Sequence, residues 1–237
     1  SFSLIQLESI ERRFRRFFKS FSSIAYSFYE SFISHVISLF YVRHLDQSIH
    51  ISFDHMFCKD KFTILLFSLR IGKQRHSSLV QMFQGAHNPN AYSLDLIKVG
   101  ISFCSNLFAN KKYHITFLAD RWFPHVELLS HIESLRLLLL IRAKSFFTYS
   151  FYNSRGKLIT KHLADIKPVA QHSKVLKDVF FTRSLFKTNI VVPTYSNHSD
   201  DIWYLITNDN TSKATKNYSY RFGSIECIFK SQKSNGF

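Results

Sequence analysis

The stretch HITFLADRWFP, residues 114–124, decides how this chain is read. Ile115, Thr116, Phe117, Leu118 and Ala119 form a short apolar run of the kind that fills a strand covered on both faces. The run stops on an acid, Asp120. Pro124 follows, and its fixed φ and missing N–H suit the first turn of a helix, expected to reach roughly Leu135. A strand that ends on a carboxylate and turns into a helix is one unit of an α/β fold. It leaves the acid where a rigid sheet meets solvent, a good position for a functional group.

The same pattern occurs upstream. Ile49, Ile51 and Phe53 alternate with His50, Ser52 and Asp54, which reads as a strand that again ends on an acid. FTILLFSLRI (62–71) reads as a buried central strand. Asn88 and Pro89 fit an N-cap and first helical position, and Leu94, Ile97, Ile101, Cys104 and Phe108 step by three and four, so a helix is expected near 90–109. Downstream, LLLLIRAKS reads as one more strand. Strand, strand, helix, strand, helix, strand is the order of an α/β layered sheet.

The character changes after residue 145. FFTYSFY and KLITKHL flank NSRG, a hairpin signal with Gly156 in the turn. DVFFT, TNIVV and DIWYLIT are further short β-type runs. Four regions are therefore expected: a helical basic segment (1–47), the first part of a core (48–145), a β-rich insertion (146–210) and a C-terminal helical part of the core (211–237). In the first, Phe14, Phe17, Phe18 and Phe21 recur at helical spacing among Arg12, Arg13, Arg15, Arg16 and Lys19. That segment reads as an amphipathic helix with a solvated basic face, a helix lying on a phosphate backbone, or a helix on a membrane surface.

Composition narrows the partners. Of 237 residues, 31 are Lys or Arg and 16 are Asp or Glu, a formal net charge of +15. Such an imbalance suits a polyanion, nucleic acid first, with an anionic membrane as the competitor. The apolar runs fall far short of the roughly 20 residues that span a bilayer. No signal peptide opens the chain. It begins on Ser1 and stops just behind a charged segment, so both ends read as cut and the chain as a fragment. Cys58, Cys104 and Cys227 form no CxxC pair and read as reduced, buried thiols rather than ligands or disulfides. His50 and His55 flank Asp54, an arrangement open to a metal site or to scattered surface histidines.

A third acid, Glu226, sits on a helical stretch among Arg221, Lys230 and Lys233. Three carboxylates brought together repel one another unless divalent cations neutralise them. Hard ions such as Mg²⁺ or Mn²⁺ prefer such oxygen ligands. Two ions about 3.5–4 Å apart clamp a phosphodiester and activate water. On this reading Asp54, Asp120 and Glu226 are catalytic and metal-binding, with Asp60 the alternative first acid.

HITFLADRWFP resembles the segment that carries the second catalytic Asp in DDE transposases of bacterial insertion sequences. YSYRFGSIECIFKSQKSNGF (218–237) resembles the Tyr-Arg-Glu-Lys signature of the insertion-sequence-four family, and SFDHMFCKDKFTILLFSLRIGKQ looks like its first-Asp strand and the strand after it. The resemblance spans about 48–237. It implies an RNase H-like mixed sheet flanked by helices, with the β-rich insertion before the last catalytic helix. It also implies two Mg²⁺ or Mn²⁺ ions, and cleavage and strand transfer of DNA at transposon ends. The partners implied are DNA and, in the active complex, a second copy of the chain. The implied location is the bacterial cytoplasm at the nucleoid, away from membranes. Tyr218, Arg221 and Lys233 match the signature as DNA contacts, and Arg121 follows the second Asp. The alternatives are an inactive DNA-binding remnant of such an enzyme and another RNase H-like nuclease.

The signature carries one departure. Four residues separate Arg221 from Glu226, where the family usually has three. On a regular helix Arg221 would then lie about 140° from Glu226. A local irregularity at 222–225 is expected instead, either a π-bulge near Gly223 or a break there with Ser224 capping a new helix.

The charge generates a first prediction. Duplex DNA binding should weaken steeply with salt, log K falling by about 0.9 per phosphate contact per decade of salt. A fluorescence titration at several ionic strengths checks it, and a flat affinity would refute a phosphate-led interface.

Overall fold

Apolar β-type runs separated by turn residues become strands here, and they join one sheet. In the computed structural model the residues described are 31, 35, 48–58, 62–71, 75–85, 94–108, 113–169, 172–194, 202–209, 211–221 and 225. The chain divides into two compact units, Ser1–Asp46 and Gln47–Phe237. In the first, Ser31 and His35 are described; both are helical and exposed. The other expectations for the 1–47 segment lie outside the described residues, as do those for Asp60, Glu226, Cys227, Lys233 and the irregularity at 222–224.

The second unit is a mixed α/β fold with a large mixed sheet and few helices. Its strands are β1 (Ser48–Cys58), β2 (Phe62–Ile71), β3 (Arg75–Gly85), β4 (His114–Ala119), β5 (Leu138–Ala143), β6 (Thr148–Tyr152), β7 (Leu158–His162), β8 (Lys174–Phe181), β9 (Phe186–Val192) and β10 (Tyr204–Thr207). The helices are α1 (Leu94–Leu107), α2 (Val126–Ser134) and α3 (Ala214–Ser219). The order across the sheet is β3-β2-β1-β4-β5-β10-β9-β8-β6-β7. β1, β4 and β5 are parallel, and the other pairings are antiparallel.

The chain first builds outward from β1 to β3, then returns to lay β4 and β5 on the other side of β1. The winding direction therefore reverses between β1 and β4. In open sheets with parallel strands, the crevice at the carboxyl ends beside such a reversal is where ligands bind.

Two strands differ from the sequence reading. β1 does not end at Asp54. Its parallel ladder with β4 stops at Ser52 and Leu118, but its antiparallel ladder with β2 continues from Asp54–Leu66 to Cys58–Phe62. Asp54 thus sits within a strand held from one side. β3 was not expected, because Arg75, His76, Ser77 and Ser78 hide any apolar pattern. It lies at the sheet edge, where polar residues are tolerated and discourage further pairing.

The expected β runs of 146–210 all form, and they extend the same sheet. The β6–β7 hairpin closes through Asn153, whose Oδ1 accepts from the N–H groups of Arg155 and Lys157 at 3.0 and 2.9 Å. Gly156 supplies the positive φ of +70° that the turn requires. β10 enters between β5 and β9 and is fastened by side chains. The Thr207 hydroxyl donates to Leu139 O at 2.7 Å, and Asn208 accepts from Leu139 N and donates to Leu137 O.

Period-two alternation assigns the two faces. Phe53, Phe67 and Phe117 pack together with Phe123 on the face opposite Asp54; the Phe53 ring lies 4.9 Å from that of Phe123 and 5.5 Å from that of Phe67. On the other face, Leu118, Leu140, Val191 and Leu205 pack with Ala214 and Tyr218 of α3. Cys104 is a free thiol buried on α1, as read from sequence, and burial pushes its ionisation far above the ordinary range. α1 meets α2 through Lys98 on Glu127 and Ser102 on His131.

Phe53 is fully buried at the centre of the aromatic cluster. Its replacement by Ala should cost about 3–5 kcal/mol of stability, the usual loss for a buried aromatic. Chemical denaturation measures it, and a loss under about 1 kcal/mol would mean that this cluster is not the core.

Candidate active site

The parallel register of β1 and β4 builds the site. Ile51 lies opposite Phe117 and Ser52 opposite Leu118. Two residues further on, the same register brings Asp54 level with Asp120, which follows directly after β4. Neighbours in register on parallel strands point to the same face. The two carboxylates therefore emerge side by side at the carboxyl end of the reversal.

A single cation joins them. The Arg221 guanidinium donates through Nη2 to Asp54 Oδ2 at 2.6 Å, and the same nitrogen lies 3.6 Å from Asp120 Oδ2. Its side chain is 7% exposed, against 19% for Asp54 and 25% for Asp120. The backbone holds both acids as well. His55 N–H donates to Asp54 Oδ1 at 2.8 Å, and Arg121 N–H to Asp120 Oδ1 at 2.6 Å. The Asp120 carbonyl accepts from Phe123 N–H at 3.1 Å, closing the turn after β4.

Helix α3 positions Arg221. Tyr218 is fully buried, and its hydroxyl donates to Ala119 O at 3.3 Å, one residue before Asp120. The helix then tightens: Tyr220 N–H bonds to Asn217 O and Arg221 N–H to Tyr218 O, both three residues back. Arg221 thus stands on the turn that ends α3, with its side chain over the acids. Tyr220 meets the His50 ring edge-on at 5.2 Å on the same side.

Burial controls the titration. It raises the Asp54 carboxyl above its ordinary 3.8, against the pull of the Arg221 guanidinium and the His55 N–H, while the charge of Asp120 adds to the rise. Burial lowers the His55 imidazole, opposed by Asp54 and Asp120. The Tyr218 phenol is pushed up, chiefly by burial.

Sequence reading brought Asp54, Asp120, Tyr218, Arg221 and Arg121 into one neighbourhood, and they are found in one. Two roles expected for them are corrected. Tyr218 has no exposed surface for DNA and instead braces the turn against β4. Arg221 is turned inward onto the acids and is 6% exposed, so its charge is engaged by carboxylates rather than presented to phosphate. The histidines are not surface residues either: His55 packs edge-on against Phe123 at 5.3 Å, and its side chain is 10% exposed. For His55 the available signal was its place two residues after Phe53, in phase with Ile49, Ile51 and Phe53 on β1. Arg121 is exposed, as a DNA contact requires.

Among the described residues no group of three His, Cys, Asp or Glu side chains is placed to hold a metal ion, and no helix is long and apolar enough to cross a membrane. Asp54 and Asp120 supply hard oxygen donors, and they already share one cation. They therefore suit a divalent ion in chemistry, with Arg221 standing as the competing charge.

No protein-family model matches the chain, and no curated protein is similar to it. Among solved structures it is similar to A. aeolicus Argonaute, at 10% identity and a TM-score of 0.32, covering 72% of this chain and 24% of that one. It is also similar to Marinitoga piezophila Argonaute in complex with 5' OH guide RNA and target DNA, at 12% identity and a TM-score of 0.33, covering 81% and 26%. The chain spans about a quarter of the length of either. Both likenesses are distant, and the mixed α/β fold described above rests on the chain's own strand order.

Arg221 offsets the cost of the buried acid, and this has a pH signature. A raised folded-state pKa means that above pH 3.8 the native state holds more protons at Asp54 than the unfolded chain does. Stability is therefore lost as pH rises through that window. Arg221→Met removes the opposing charge and raises Asp54 further. The expected loss is about 3 kcal/mol near neutral pH, shrinking as acidification protonates the stranded carboxylate. Urea unfolding across a series of pH values checks it; a loss independent of pH would assign Arg221 a packing role only.

Proposed function

We propose that the chain is the catalytic core of a metal-dependent enzyme that cleaves nucleic-acid phosphodiesters on an RNase H-like sheet. The observation that carries this reading is the paired carboxylates Asp54 and Asp120 just past the carboxyl end of the β1–β4 parallel ladder, beside the winding reversal. A net charge of +15 supplies the attraction for a polyanion.

In this reading Asp54 and Asp120 hold Mg²⁺ or Mn²⁺, with Glu226 as the third ligand. When bound, a pair of such ions polarises the scissile phosphate and lowers the pKa of an attacking water. The chain's own contribution is to fix the two acids in register and to keep Arg121 exposed for the backbone of the substrate. The finer reading is a DDE transposase of the insertion-sequence-four family, acting on DNA ends, with a second copy of the chain completing the active complex. It is supported by the two sequence motifs around Asp120 and Glu226.

A second reading has an observation of its own. The Arg221 guanidinium is already paired with Asp54 and lies close to Asp120, as it would in a DNA-binding remnant without metal chemistry.

The deciding measurement is nicking of duplex DNA in Mg²⁺ or Mn²⁺. Asp54→Asn and Asp120→Asn should each lower the rate by about two to three powers of ten, the scale lost when one preorganised charged group is removed, with DNA affinity retained. Binding without any metal-dependent cleavage by the parent chain favours the remnant. Cleavage that survives both substitutions removes these acids from the mechanism.

A further inference from the structure

The four oxygens of the acid pair divide into two sets. Asp54 Oδ1 accepts from the His55 N–H at 2.8 Å and Asp120 Oδ1 from the Arg121 N–H at 2.6 Å, so one oxygen of each carboxylate is committed to the backbone. The other two, Asp54 Oδ2 and Asp120 Oδ2, both face Arg221 Nη2, at 2.6 and 3.6 Å. The first set fixes the carboxylates in place, and the second is the pair left for a cation. That cation is the most deeply placed of the three groups, since the Arg221 side chain is buried while both acids keep some exposed surface.

A hard divalent ion needs those same oxygens. Mg²⁺ sits about 2.0–2.1 Å from its carboxylate ligands. An ion on Asp54 Oδ2 would therefore stand within about 5 Å of Nη2, because both would touch one oxygen. Like charges at that range repel strongly where water screens them poorly. Asp54 Oδ2 thus serves Arg221 or an ion, but not both at full strength. The guanidinium is held by a short charge-assisted hydrogen bond, the strong kind. Withdrawing it needs no unfolding. Arg221 N–H stays bonded to Tyr218 O at 3.0 Å and Tyr218 is fully buried, so a change of side-chain rotamer is enough.

We infer that Arg221 is an internal cation lock on the acid pair: it holds the ion-binding oxygens of Asp54 and Asp120, and a divalent ion loads only as the guanidinium withdraws. The inference rests on the metal-dependent reading of this site and adds a regulation to it. The lock gives the acids a counter-charge before any ion arrives, so the chain can fold without metal. The same contact sets a threshold for loading, because an ion must break a buried pair to bind.

The test uses the full chain, freed of metal by chelation and dialysis, with Mn²⁺ as the probe and no nucleic acid present. Free Mn²⁺ is followed by electron paramagnetic resonance. Arg221→Gln keeps a hydrogen-bond donor for Asp54 but no charge. It should bind Mn²⁺ about tenfold or more tighter than the parent chain, the scale of removing one nearby like charge. Arg221→Lys keeps the charge and should stay close to the parent. Adding Arg221→Gln to Asp54→Asn should give little of that gain, because the contested oxygen is gone. The rise in melting temperature on adding Mn²⁺ should follow the same order. A measurement on the parent chain does not depend on how the Gln substitution folds. With ¹⁵N-labelled arginine, the guanidinium signal that Arg221→Lys removes should move as Mg²⁺ is added. A signal unchanged at Mg²⁺ saturation overturns the lock. Equal Mn²⁺ affinity in the parent and Arg221→Gln, or Arg221→Lys as tight as Arg221→Gln, also overturns it and leaves the metal reading standing. Absence of Mn²⁺ binding in every chain overturns the metal reading and the lock with it.

Discussion

Two negative charges on neighbouring strands cannot share a half-buried site without a counter-charge, and Arg221 provides it. Unit charges about 4 Å apart in surroundings of effective dielectric near 20 interact by about 4 kcal/mol, which is large against the stability of a domain. Much of the unit is arranged so that this cation arrives. The β1–β4 register brings the acids level, the turn after β4 holds Asp120 by its backbone, and buried Tyr218 anchors the end of α3 to Ala119. Sheet register and helix placement thus serve one electrostatic requirement.

Which features could be read in advance follows from their range. Asp54 and Asp120 were readable because each ends an apolar pattern, and pattern is local. The strands of 148–207 were readable for the same reason, each being bounded by Asn, Gly, Pro or Ser. β3 was not, because an edge strand needs no apolar alternation of its own when β2 supplies its ladder. The continuation of β1 past Asp54 depends on pairing with β2 across the hairpin, from His55–Leu65 to Cys58–Phe62, which composition does not encode.

The side-chain directions at the site were the least readable part. Helical angles alone place Arg221 relative to residues on its own helix, and say nothing about acids on two strands far away in the chain. Its inward turn depends on where α3 lands, and that is decided by Tyr218 fitting among Leu118, Leu140, Val191 and Leu205. Tyr218 was singled out in the sequence as a DNA contact, whereas the structure packs it in the core. His55 shows the converse: its phase with Ile49, Ile51 and Phe53 signalled burial, and its polarity argued against it.

The insertion of β10 between β5 and β9 has a consequence for how the sheet is assembled. β5 ends at Ala143, and its partner begins only at Tyr204, after four other strands have been made in sequence. Closing so long a loop is entropically unfavourable, and non-local pairing of this kind slows folding. In the order of paired strands, the outer strands β9, β8, β6 and β7 join the parallel core through the four residues of β10. They can pair with one another first, and their ladder joins that of the rest of the sheet when β10, with Thr207 and Asn208, engages β5. β10 therefore acts as the latch of the folding reaction, and the two halves of the sheet are expected to gain amide protection at different times, outer strands first and seam last.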